Sequence, residues 1–81
     1  MAFFVFLWTD EIIAHVAEHG LSQDDFEFVV SHPVRRGVSR LSGLPAAWGY
    51  TVDGRYVFAV YDELDDLTIL PVTAYEVDEP R

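Results

Sequence analysis

The chain has 81 residues, 51% of them hydrophobic and 15% aromatic, and it sets 14 acidic side chains against 5 basic ones for a formal net charge of −9. It is apolar enough to fold and short enough for a single α+β domain spanning residues 1–81, so disorder and a multidomain arrangement are both disfavoured. Cysteine is absent, which excludes a disulfide framework and a thiolate zinc site.

The charge is unevenly spread. Residues 1–27 carry six acids and no Lys or Arg, residues 28–52 carry Arg35, Arg36 and Arg40 and no acid, and residues 53–81 carry eight acids and two arginines. An acidic surface repels nucleic acid over most of its area and favours a basic protein partner. The middle third is an electropositive island within it.

The opening "MAFFVFLW" lacks the basic flank of a signal peptide and is shorter than the ~20 apolar residues of a membrane span. Phe3, Phe4, Val5 and Phe6 favour a pleated surface, so a strand or extended lead is expected here. A first helix follows, with Thr9 as cap, Asp10 and Glu11 in the first turn and Gly20 as stop. Ile12, Ile13, Val16 and Ala17 form its apolar stripe, and His15 and His19, four residues apart, share the neighbouring face.

Ser22 and Asp25 resemble a capping box for a second helix, with Leu21 placed to staple onto Phe26. Phe26, Val29 and Val30 recur at helical spacing, and Pro33 ends the helix near His32. Residues 33–45 hold two prolines, two glycines, two serines and three arginines and read as an irregular tether. Strands are expected after it. "AAWGYTV" and "RYVFAVY" flank Asp53-Gly54, the pair that favours a two-residue hairpin turn, with Val52 and Arg55 directly beside it. "DELDD" closes the second strand, and "LTILPVTA" is a third, made an edge strand or a bulged one by Pro71. The expected architecture is α+β: an extended lead and an αα-hairpin packed on a three- to four-stranded antiparallel meander.

No glycine-rich phosphate loop, HExxH, EF-hand or GxSxG motif occurs. His15 and His19 could share a metal but lack a third ligand, and solvated helix histidines are the commoner case. "DELDD" lacks calcium-loop spacing and reads as a polar turn. No cofactor or metal is therefore expected. The island is the remaining candidate. Arginine forks clamp phosphate and stabilise its developing charge, while a His, Tyr or Glu moves a proton from a 2′-hydroxyl. His32 ends the second helix, where the dipole favours its charged form, and Arg55 extends the patch only if the fold brings the two regions together. Trp48, Tyr50 and Tyr56 fit base stacking or the commoner role of core and cross-strand pairs.

Two longer strings, "LWTDEIIAHVAEHGLSQDDFEFVV" and "TVDGRYVFAVYDELDDLTILPVTAYEV", together resemble the BrnT-like toxins in their H-G, G-R-Y and T-A order. That resemblance implies a RelE/ParE-like fold and a cytoplasmic, metal-independent endoribonuclease of a bacterial toxin–antitoxin pair, held inactive by a cognate antitoxin. It also implies phosphate binding by Arg35, Arg36 and Arg40. Where the family carries an arginine after T-A, this chain has Tyr75, so that phosphate contact is absent and a tyrosine capable of proton transfer stands in its place. The alternative is a non-catalytic relative, an interaction module for an antitoxin or another basic protein, using the Pro71 strand and the N-terminal aromatics for strand addition or for homodimerisation.

Overall fold

The computed structural model describes residues 4–80. Its elements run β1 (Val5–Phe6), α1 (Asp10–Glu18), α2 (Gln23–Ser31), β2 (Arg35–Val38), β3 (Pro45–Tyr50), β4 (Tyr56–Glu63) and β5 (Thr68–Glu76). The strands form one sheet in the order β1-β5-β4-β3-β2. The fold is α+β, with two helices on a sheet.

Both helices begin and end where local chemistry dictates. The Thr9 side chain accepts from the Ile12 amide at 3.2 Å, meeting one of the donors a helix start leaves unpaired. α1 closes in a Schellman arrangement: with Gly20 at φ +77°, the amides of Gly20 and Leu21 reach the carbonyls of Ala17 and Val16. The capping box of α2 is complete, since the Ser22 hydroxyl accepts from the Asp25 amide while the Asp25 carboxylate accepts from the Ser22 amide. The stapling residues Leu21 and Phe26 are both buried in one core cluster with Val16, Val29, Val30, Ala47, Val57, Ala59, Tyr61, Ile69 and Ala74. Each fully buried Val or Phe there contributes about 1.5–3 kcal/mol.

The sheet departs from the expected meander. It has five strands and is mixed, because β1 pairs parallel with β5 through Val5↔Thr68 and Phe6↔Ile69. The first three residues of the expected N-terminal strand lie outside the described residues. The supposed tether contains β2, which pairs antiparallel with β3 from Arg35↔Trp48 to Val38↔Pro45. Only one of its prolines, Pro33, precedes the strand and the other starts β3, so neither interrupts the ladder.

The Asp-Gly turn also differs by one residue. Tyr50 pairs with Tyr56, the Gly54 amide donates to the Thr51 carbonyl and the Thr51 amide to the Arg55 carbonyl. Thr51 rather than Val52 therefore faces Arg55, and Gly54 at φ +89° supplies the left-handed residue of a three-residue loop. In β5, Val60 pairs with Thr73 but Tyr61 pairs with Pro71, so Val72 is the extra residue of a bulge at the proline.

Candidate functional site

Strand alternation sends neighbouring residues of each strand to opposite faces. Ala47, Ala59 and Ala74 pair in one row and lie in the core beneath the helices. The adjacent row, Arg35↔Trp48↔Phe58↔Tyr75, crosses four strands on the other face. Its rings are in contact: Trp48 and Phe58 centroids are 4.7 Å apart, and Phe58 and Tyr75 meet edge-on at 5.6 Å. The Arg35 guanidinium lies over the Trp48 ring, 4.4 Å from its centroid, a cation–π contact that holds a flexible side chain in place. Space for the indole comes from Gly37, where a Cβ would sit 2.9 Å from the Trp48 ring.

This row forms the floor of an open groove of about 470 Å³, whose wall includes Ser39 and Arg40 from the β2–β3 loop. The groove thus gathers three of the sequence candidates, Arg35, Arg40 and Tyr75. Beyond Tyr75 the row continues into α1, with the His19 ring 5.9 Å from that of Tyr75 and the His15 ring 5.2 Å from His19. His15 Nε2 also hydrogen-bonds Thr73 Oγ1 at 2.8 Å. The C-terminal end of α1 therefore packs against β5 at Thr73 and Tyr75, next to the end of the row.

The other three candidates are elsewhere. Arg36 follows Arg35 and so turns to the helix side, donating to the Tyr61 hydroxyl at 3.3 Å and the Val30 carbonyl at 3.5 Å. Burial pushes the Tyr61 phenol above its usual range, and the Arg36 charge draws it back in part. Arg55 does not extend the island. Its guanidinium bridges Asp25, at 3.0 Å, and Asp53, at 3.1 Å, and donates to the Gly20 carbonyl. It ties the β3–β4 hairpin to the capping box of α2, and its pKa is raised chiefly by the hydrogen bond to Asp53. His32 caps α2, where its Nδ1 donates to the Phe28 carbonyl at 3.2 Å and its ring stacks on Phe28 at 4.5 Å.

The acidic turn is organised by hydrogen bonds. Asp65 accepts from the amides of Leu67 and Thr68 and from the Thr68 hydroxyl, which hold its carboxyl below the usual range. Among the described residues, no group of three or more His, Asp or Glu side chains is arranged to hold a metal ion. No helix of the described residues is long and apolar enough to cross a membrane.

Phe58 is a groove residue that sequence reasoning missed. The signal for Phe58 was its register opposite Trp48, which the two-residue reading of the hairpin displaced by one position. No family model, curated protein or solved structure matches the chain.

Proposed function

We propose that the groove binds single-stranded RNA and that the chain is a small toxin-like, metal-independent endoribonuclease. The observation that carries this reading is the row itself. Two arginines and three aromatic rings share one open groove, in a sheet-face arrangement suited to stacking unpaired bases beside a clamped phosphate. In cleavage, the RNA 2′-oxygen attacks the adjacent phosphorus and the bond to the 5′-oxygen breaks. Arg35 and Arg40 hold the non-bridging oxygens and neutralise their growing charge. The Tyr75 hydroxyl relays the proton: it gives its own to the departing 5′-oxygen and regains one from the 2′-hydroxyl, leaving a 2′,3′-cyclic phosphate and a 5′-hydroxyl. With the resemblance come a cytoplasmic setting and a cognate antitoxin partner.

The test is cleavage of a labelled single-stranded RNA by wild type, Tyr75→Phe and an Arg35→Gln/Arg40→Gln double variant, each shown folded by circular dichroism. Tyr75→Phe should lose about 100-fold or more in rate while still binding RNA, and the double variant should lose both. Wild-type-like cleavage by Tyr75→Phe would remove that residue from the mechanism.

A second reading is a non-catalytic interaction module. It is favoured by the commitment of Arg36 and Arg55 to internal contacts, which leaves few arginines for a polyanion in a molecule of net charge −9. It is also favoured by the open edge of β2, exposed along its whole length and suited to strand addition in a heteromeric complex or a homodimer. Absence of cleavage by the wild type, with capture of a basic protein partner weakened by salt, would select it.

A further inference from the structure

We infer that the groove takes a step of two nucleotides and does not read base identity, an inference that rests on the RNA reading above. Three features set this footprint. The Trp48 face is already engaged by the Arg35 guanidinium, so Phe58 and Tyr75 are the two rings left for bases to stack on. The row is bounded at one end by the β2 edge and at the other by α1, where His19 packs against Tyr75. The strand's charge is met by two arginines, and Val77 on the groove wall leads directly into Asp78 and Glu79, which repel any phosphate carried further in that direction.

Base selectivity requires side chains that match the donors and acceptors of a base edge: arginine for guanine, amides for adenine and carboxylates for cytosine. The two groove arginines are taken up by phosphate, Arg35 being held over the Trp48 ring as well. The groove lining among the described residues includes neither an amide nor a carboxylate side chain, and the whole chain has no Asn and a single Gln, Gln23 in α2. Aromatic faces accept every base because every base has a π-face. A paired duplex is excluded by the same geometry, since stacking on Phe58 and Tyr75 needs splayed bases.

The experiment is fluorescence anisotropy of the full chain with 2′-O-methyl oligonucleotides, which cannot be cleaved by their own 2′-oxygen, of one, two, four and eight residues. Affinity should rise at least tenfold from one residue to two and less than threefold from two to eight, once the number of binding registers is allowed for. Adenine, cytosine and uracil homopolymers should agree within threefold. The slope of log K against log salt should lie near about −0.7, the value for the one phosphate of a two-nucleotide step on a single strand, and the Arg35→Gln/Arg40→Gln double variant should bring it near zero. Affinity that keeps climbing with length, a slope of −3 or steeper, or a tenfold preference for one base would overturn the two-nucleotide, base-blind site while leaving RNA binding in place. No binding of any oligonucleotide by folded protein would overturn the RNA reading and this inference together.

Discussion

Arg35 and Arg36 are neighbours in sequence and serve different purposes because a strand turns successive side chains to opposite faces. Arg35 joins the groove, and Arg36 satisfies the Tyr61 hydroxyl and a helix carbonyl. Arg55 shows the same division between charge and site. Its contacts with Asp25, Asp53 and Gly20 are partly exposed, so screening limits what they contribute. Arg55→Ala should lower the thermal midpoint by about 4 °C, the scale of a small loss in a domain of this size, and leave oligonucleotide affinity within twofold of wild type. A tenfold loss of affinity, with the midpoint unchanged, would return Arg55 to the site. The sequence showed that the arginines cluster, but their sorting between faces depends on β2 being a strand. Gly37, Pro33 and two adjacent arginines disguised it as a loop.

At the scale of the elements, the helices were legible almost residue by residue. Thr9, Gly20, the Ser22–Asp25 box and Pro33 are local signals, and local chemistry was sufficient. The hairpin was legible in position but not in register: the loop closes around Thr51 and Gly54 because the Thr51 hydroxyl bonds both Asp53 and the Arg55 amide. That one-residue difference matters, since a slip of one exchanges the two faces of a strand. It set Ala59 rather than Phe58 opposite Trp48 and hid the aromatic row. The β3–β4 and β4–β5 turns are each held by an aspartate of depressed pKa. For Asp53 the cause is first the Thr51 hydroxyl and then Arg55; for Asp65 it is the Leu67 amide and then Thr68. A carboxyl with a lowered folded-state pKa adds stability above its unfolded value, about 3.9 for Asp, and that contribution disappears as pH falls through the folded value. Melting followed from pH 6 to pH 2 should therefore show the midpoint falling below about pH 4. Asp65→Asn should be less stable than wild type at pH 6 and converge with it at the acid end. Parallel curves across the whole range would show that the turn carboxylate has no linked role.

For the whole molecule, the notable quantity is the contrast between a net charge of −9 and a helix-free sheet face that carries two arginines and no carboxylate in its groove lining. Long-range attraction cannot draw RNA to such a protein, so binding must rest on short-range stacking and local ion contacts and should be weak at physiological salt. None of this was readable from composition, which records only the sum of the charges. The arrangement depends on β2 meeting β3, β3 meeting β4 in its observed register, and the bulge at Pro71 restoring Tyr75 to the open face. The measurement that tests the central claim most directly is an amide and indole NMR titration of the full chain with a 2′-O-methyl tetranucleotide. Shifts should concentrate at the Trp48 indole N–H and at the amides of Gly37, Phe58 and Tyr75, with Val29 and Val30 unmoved. Shifts confined to the α1–α2 surface, or none at all, would contradict a nucleic-acid site on the open face.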